Sequence, residues 1–460
     1  MPTPESLLLA ALRAAPRRYR LPPLPAHAAA ARADGAPAAV AFALEALRVA
    51  QERAAPPHAE AQEAFVAGLD ALIRDALSPR HGDPAYQAMV LRSLDAEVGD
   101  YATLLAQAGA DRRAVRGMVD AVAHPGRLRG RAAEAPDERL APLHALAAAG
   151  EWAALRHAVE RARAGAAAGE GPAADALQRL RAEPALARLE RGQVLRDSPG
   201  VLRYRRLLEQ AGPAAGSPEA AVSGRVAAQR GGRAETDVAD VLRRIAGRLG
   251  DAAAGRAAYR VARSLRTPPA LGAASRTKAE WDAAIVAERA GAAGADIVLL
   301  AEVKASPAAA TADWPRMRRG LAGLAQARGE AACTFASADG PVHVAPASLR
   351  RLQPPGHGLP EHVVYCCVAD AESRPPMLSA ASRAVLLVEP ASLSHAGLLA
   401  AGASPPLSNL VPVWHAVAEA PRLHATRCQD RTARAAREAM LHPDDLLEAV
   451  ERILGAARGS

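Results

Sequence analysis

The stretch Ala295-Asp-Ile-Val-Leu-Leu-Ala-Glu-Val-Lys-Ala-Ser306 decides the fold of the second half of this chain. It begins with a run of apolar residues, and such a run predicts a strand that is buried on both faces, at the centre of a sheet. Successive side chains of a strand point to opposite faces. The two expected faces are Ile297, Leu299, Ala301 and Val303 on one side, and Val298, Leu300, Glu302 and Lys304 on the other. An acid and a base therefore emerge together at the end of a central strand.

Lys304 is unusual because the chain contains two lysines, Lys278 and Lys304, among 57 basic residues. Arginine stays charged in proteins, whereas the pKa of lysine moves readily on burial, which is a property that catalysis uses. A charged pair beside a buried strand must be compensated or must bind a ligand. The carboxyl ends of strands in α/β sheets are also common ligand sites.

The composition is that of a soluble protein with room for two or three domains. It contains 460 residues, of which 50% are hydrophobic and 3% aromatic, and its net charge is +8. The charge favours an anionic partner such as nucleic acid. No apolar stretch approaches the roughly 18 residues of a membrane span, and the four cysteines form no CxxC pair, so we expect a cytoplasmic protein without membrane contact.

The first 212 residues show apolar residues at helical spacing, interrupted by proline and glycine, and predict a domain of seven to nine helices. The run Ser6–Leu12 is expected to be an amphipathic helix and not a signal peptide. We expect this domain to bind the substrate or a partner protein, or to self-associate. Residues 213–223 are rich in glycine, proline and serine and are expected to be a linker.

Residues 224–460 alternate short β-branched runs with helical patterns, which predicts a mixed α/β domain. Strands are expected at 281–286, 297–303, 342–344, 362–368 and 384–388. Helices are expected at 234–250, 313–327 and 444–457.

Asp282 lies at the start of a short strand, and the turn residues Gly291–Gly294 separate that strand from the central one. The two strands are expected to form an antiparallel hairpin that brings Asp282 close to Glu302. Two carboxylates and a backbone carbonyl, that of Val303, are ligands that Mg²⁺ accepts. Glu235 lies three residues before Val238 on an expected amphipathic helix and is predicted to face inward as a supporting acid.

Glu235, Asp282 and Glu302-Val-Lys304, taken in this order, resemble the core of the PD-(D/E)xK nuclease superfamily. The resemblance covers about residues 224–345, leaving 346–460 as an extension, and Trp281 stands where the motif's name has proline. It implies a restriction-endonuclease-like fold and hydrolysis of phosphodiester bonds with Mg²⁺ or Mn²⁺. It further implies that Asp282 and Glu302 bind the metal and that Lys304 positions the attacking water.

Four arginines near these residues are candidate phosphate contacts. Arg230 and Arg233 flank Gly231-Gly232, where a flexible backbone would help to hold a phosphate, and Arg318 and Arg319 follow on the next helix. DNA is the expected substrate, with RNA as the alternative.

Two other functions remain open from the sequence. A nuclease-like fold could bind nucleic acid or protein without cleavage, with Glu302 and Lys304 as an inward salt bridge. A small-molecule lyase or synthase could instead use Lys304 as a Schiff-base nucleophile, which requires a strongly lowered pKa.

Overall fold

The computed structural model describes residues 2–56, 58–126, 140–165, 172–213, 216–271, 278–292 and 294–458. These residues form two compact units. The first contains residues 1–72, 215–389 and 410–460, and the second contains residues 73–214 and 390–409.

Helices fill the described residues from 4 to 210, and no strand occurs among them, as predicted. They are α1 Pro4–Ala14, α2 Ala28–Ala33, α3 Ala36–Glu52, α4 Ala59–Leu77, α5 Pro84–Leu94, α6 Ala96–Ala123, α7 Ala141–Ala149, α8 Trp152–Gly165, α9 Pro172–Ala182, α10 Pro184–Leu195 and α11 Pro199–Gln210. These eleven exceed the seven to nine predicted, because several prolines start a helix instead of merely ending one. Pro199, for example, follows the N-cap Ser198, whose side chain accepts a hydrogen bond from Val201 N.

The remaining residues form an α/β arrangement, as predicted. Its elements are α12 Pro218–Ala253, β1 Ala258–Arg266, β2 Glu280–Glu288, β3 Asp296–Lys304, α13 Pro307–Leu324, β4 Cys333–Phe335, β5 Val342–Val344, α14 Pro346–Arg350, β6 Val363–Cys367, α15 Ala380–Leu387, α16 Pro390–Ala400, α17 Val411–Glu419, α18 His424–Arg427, α19 Gln429–Glu438, β7 Met440–Leu441 and α20 Pro443–Arg458. Three short 3₁₀ segments lie at Pro269–Leu271, Leu407–Leu410 and Pro421–Leu423.

Five strands form one mixed sheet in the order β1-β2-β3-β6-β7. The first three are antiparallel, whereas β6 runs parallel to β3, and β7 runs parallel to β6. The β2–β3 hairpin is therefore confirmed, and β3 is the central strand. A separate two-stranded sheet contains β4 and β5.

Apolar clusters cover both faces of the sheet. One face packs against α1, α12 and α20 through residues that include Leu12, Leu242 and Val450. The other face packs against α13 and α19 through residues that include Trp314 and Ala436. The burial of β3 on both faces is thus confirmed.

The predicted alternation along β3 is wrong at its beginning. A β-bulge changes the register, so that Ile285 pairs with Leu299 and Val286 with Ile297. Val298 is therefore the extra residue of the bulge and joins the face that contains Leu299, while Ile297 joins the other. The alternation holds from Leu299 onward, which keeps Glu302 on the face of Leu300.

Two predictions about segment boundaries differ from the structure. The boundary at residue 212 does not coincide with the division into units, because α1 contributes Leu8 and Leu12 to the same cluster as Leu242. The predicted linker is helical from Pro218, since Ser217 caps α12 by accepting a hydrogen bond from Ala220 N at 3.1 Å.

The strand predicted at 384–388 is wrong, because this short apolar run belongs to helix α15. Ser379 caps that helix through a 3.1 Å hydrogen bond from Ser382 N. Short apolar runs fit a strand or a buried helix equally well, and here the cap decides.

Candidate functional site

Glu302 is the centre of a buried group of charged side chains at the end of β3. Its side chain is 3% exposed, and Oε1 accepts hydrogen bonds from Lys278 Nζ at 2.6 Å and from Lys304 Nζ at 2.9 Å. Its second oxygen, Oε2, is buried and has no hydrogen-bond partner among the described residues. A buried carboxylate oxygen without a donor is costly, so this atom is a candidate ligand for a cation or a water molecule.

Lys304 joins β3 to helix α13 through a second carboxylate. Its ammonium lies 3.2 Å from Asp313 Oδ2 and 5.8 Å from the centroid of the Tyr365 ring. Burial lowers the pKa of Lys304, but the carboxylates of Glu302 and Asp313 outweigh it, and the net pKa is raised. Lys304 is therefore a permanently protonated hydrogen-bond donor at neutral pH.

Lys278 is a member of the site that the sequence interpretation did not assign. Its carbonyl accepts a hydrogen bond from Thr267 Oγ1 at 3.0 Å, and that hydroxyl accepts one from Trp281 Nε1 at 3.1 Å. A Cβ atom at Gly320 would lie 2.8 Å from Lys278 Cβ, so α13 approaches closely because this residue is glycine. The sequence signal that could have identified Lys278 is its rarity, which it shares with Lys304.

Asp282 is brought next to Glu302 by the hairpin, as predicted. The pair Ala283–Ala301 is the last in the β2–β3 register, and one step further Asp282 Oδ2 accepts a 2.7 Å hydrogen bond from Val303 N. Burial, and then the charge of Glu302, raise the pKa of Asp282 to about 7. The bond from Val303 and the two lysines act in the opposite direction. Asp282 is therefore divided between its protonated and ionised forms near neutral pH.

The backbone opposite Asp282 is irregular. Arg263 pairs with Ala283 and Leu265 with Trp281, which leaves Ser264 and Asp282 between two regular pairs. Ser264 has φ 50°, a left-handed conformation that is uncommon for serine. Outliers of this kind are frequent near functional sites.

The prediction that Glu235 faces inward is wrong. Helix α12 buries Ala234, Val238 and Leu242, which follow one another at intervals of four residues, while Glu235 is exposed. Glu235 is displaced from Ala234 by one residue, about 100° around the helix axis. The structure therefore brings together Asp282, Glu302 and Lys304 but not the predicted supporting acid.

Three of the four arginines predicted to contact phosphate are exposed in the structure, and the fourth is partly buried. Arg230 and Arg233 are exposed, but Gly231-Gly232 lies inside α12 and is not a flexible loop. On α13, Arg319 is exposed, whereas Arg318 is half-buried and donates to the carbonyl of Gly356. Arg230, Arg233 and Arg319 remain available to solvent.

The fit of a divalent cation depends on Asp282 and Glu302. Within the described ranges, no group of three or more His, Cys, Asp or Glu residues is arranged to hold a metal. Mg²⁺, however, is commonly bound through one or two carboxylates and several waters. The unpartnered Glu302 Oε2, with Asp282 on the neighbouring strand, fits that smaller set. The carbonyl of Val303 was predicted as a further ligand. The backbone N–H of the same residue donates a hydrogen bond to Asp282 Oδ2.

Comparison with protein families, with curated proteins and with solved structures finds no match to this chain. No helix among the described residues is both long and apolar enough to span a membrane. The function is therefore argued from the geometry of the site.

Proposed function

We propose that this protein is a divalent-metal-dependent nuclease that hydrolyses phosphodiester bonds of DNA. The proposal is carried by Glu302 Oε2, a buried carboxylate oxygen without a partner among the described residues, next to Asp282 on the adjoining strand. Such an oxygen is stabilised when a cation binds.

The order of the elements supports the resemblance to the PD-(D/E)xK core. Helix α12 is followed by the antiparallel strands β1, β2 and β3, then by α13 and, after β4, β5 and α14, by β6, which is parallel to β3. Asp282 lies on β2, and Glu302 and Lys304 lie on β3. This is the order of helix, hairpin, helix and strand that the resemblance implies.

Each side chain has a distinct role in the proposed reaction. Asp282 and Glu302 would hold Mg²⁺ or Mn²⁺, which when bound activates water and neutralises charge on the phosphate. Lys304 donates hydrogen bonds to the phosphate oxygens and stabilises the negative charge that grows on them. Asp313 fixes the direction of the Lys304 ammonium through their 3.2 Å contact.

A second candidate function is binding without cleavage. It is favoured by Lys278, whose ammonium lies 2.6 Å from Glu302 and, together with Lys304, compensates the buried carboxylate without a metal. Such a scaffold would bind nucleic acid or protein. The Schiff-base alternative is not supported, because it requires a lowered pKa and that of Lys304 is raised.

The experiment is a cleavage assay on linear duplex DNA, supercoiled DNA, single-stranded DNA and single-stranded RNA, with Mg²⁺, with Mn²⁺ and with a chelator. Wild type is compared with Asp282→Asn and Lys304→Ala. Glu280→Gln is the matched control, because Glu280 is an exposed acid on the same strand as Asp282. Metal-dependent cleavage that both site variants abolish and the control retains supports the nuclease. Binding without cleavage by wild type supports the second candidate.

A further inference from the structure

Lys278 and Lys304, the two lysines of the chain, both bind the same oxygen of Glu302. The Lys278 side chain is 5% exposed and Glu302 is 3% exposed, so this ion pair is shielded from water. The opposite oxygen, Glu302 Oε2, is buried without a partner among the described residues. One half of the carboxylate is therefore compensated twice, while the other half is left for a further ligand.

The two lysines differ in the ion-pair partners that remain to them when Glu302 binds another ligand. Lys304 also contacts Asp313 at 3.2 Å, so its charge stays compensated without Glu302. For Lys278, Glu302 is the single ion-pair partner that the described residues provide. A divalent cation at Glu302 would place like charge beside Lys278, and the repulsion in a buried site is large.

The surroundings of Lys278 hold its backbone in place. Thr267 binds its carbonyl, and the ring of Trp281 lies with its centroid 5.4 Å from the ammonium. The close approach of Gly320 removes space on the side of α13. These contacts fix the backbone and Cβ of Lys278, whereas its ammonium is held by Glu302 and the Trp281 ring and can move when Glu302 binds a metal.

We infer that Lys278 is a positioning residue of the site, which holds Glu302 in the metal-free protein and competes with a divalent cation for that carboxylate. The inference rests on the proposed function in assigning Glu302 as a metal ligand. It concerns the buried cation on Glu302 Oε1 that a metal bound at Oε2 would repel, which is not part of the proposed reaction.

The first test measures binding of Mn²⁺ to the full chain by calorimetry, without nucleic acid. Lys278→Met is expected to bind Mn²⁺ at least about tenfold more tightly than wild type, which corresponds to ~1.4 kcal/mol. Lys278→Arg keeps the positive charge and is expected to restore the weaker affinity. Equal or weaker binding by Lys278→Met overturns the inference, as does Lys278→Arg binding as tightly as Lys278→Met.

The second test uses wild-type protein and does not depend on the folding of a variant. Reductive methylation followed by mass spectrometry reports separately on the two lysines. Mn²⁺ is expected to raise the labelling rate of Lys278 relative to Lys304, because the displaced ammonium leaves its buried partner. An unchanged ratio of the two rates at saturating Mn²⁺ overturns the inference.

These results separate the inference from the proposed function. Release of Lys278 by Mn²⁺ in a protein that cleaves no nucleic acid keeps the inference and removes the nuclease. Metal-dependent cleavage with an unchanged Lys278 labelling ratio keeps the nuclease and removes the inference.

Discussion

Lys278 Nζ lies 2.6 Å from Glu302 Oε1, although the two residues are 24 positions apart in the sequence. Both side chains are buried. Breaking such a pair leaves an uncompensated charge in a poorly solvated environment.

Lys278→Met is expected to lower the free energy of unfolding of the metal-free protein by about 3 kcal/mol, the lower end for a buried pair because Lys304 still binds Glu302. In a double-mutant cycle with Glu302→Gln, the two effects should be non-additive by about 1–3 kcal/mol. Chemical denaturation measures the loss of unfolding free energy and, over the four proteins of the cycle, the coupling energy. The control is Arg248→Met, which removes an exposed ion pair to Glu451 and should cost less than about 1 kcal/mol. Additive effects of the buried pair would show that it is not coupled.

Gly320→Ala is expected to destabilise the protein by about 1–3 kcal/mol, because the new Cβ would lie 2.8 Å from Lys278 Cβ and 3.0 Å from the Trp281 ring. The matched control is Gly247→Ala on α12, where a Cβ meets no atom within 4 Å. That change should stabilise the helix by about 0.5–1 kcal/mol. Thermal unfolding of both variants measures these changes in stability. A Gly320→Ala variant as stable as wild type would contradict the close packing of α13 against Lys278.

His362 is expected to make stability depend on pH between about 4 and 6.5. Burial, and then the charge of Arg351, lower its pKa from 6.5 to about 4. In this range the unfolded chain binds more protons than the folded one, so the folded state loses stability as the pH falls. The loss contributed by His362 should be about 2–3 kcal/mol at pH 4.

His362→Asn should remove this part of the pH dependence, measured as denaturation midpoints from pH 4 to 7. His415→Asn, which changes an exposed histidine on α17, is the control and should leave the slope unchanged. An unaltered slope in His362→Asn would show that His362 does not titrate as described.

The exposed arginines are expected to act on DNA binding without affecting stability. Arg230→Ala, Arg233→Ala and Arg319→Ala should each weaken binding and reduce the slope of log affinity against log salt by about 0.9. Arg318→Ala should mainly lower the melting temperature, because Arg318 binds the carbonyl of Gly356. Binding titrations at several salt concentrations test this, and unchanged slopes in all three exposed variants would exclude these residues from the interface.

The central hairpin could be predicted because its signals are local. The apolar run before Glu302 and the turn residues before it specify two adjacent strands, and the structure contains both. Strand β7 was not predicted, because it is only two residues long, Met440–Leu441. It is defined by its pairing with β6, a strand that is distant in the sequence. Strand β1 was also not predicted, because its arginines interrupt the apolar pattern.

The arrangement of the side chains at the candidate site could be predicted in part. Asp282, Glu302 and Lys304 converge as the hairpin requires, whereas the inward direction of Glu235 depended on one position around a helix. Lys278 was not assigned, because its contact with Glu302 depends on the packing of Trp281 and Gly320, which no periodicity encodes.

The most direct test of the nuclease is the single-turnover rate of duplex DNA cleavage in Mg²⁺, with protein in excess, for wild type and Lys304→Met. If Lys304 stabilises the charge that grows on the phosphate, the rate should fall by about 100-fold or more while DNA affinity changes little. A Lys304→Met rate equal to that of wild type, or a wild-type protein that binds duplex DNA and leaves it intact in Mg²⁺, would contradict the account.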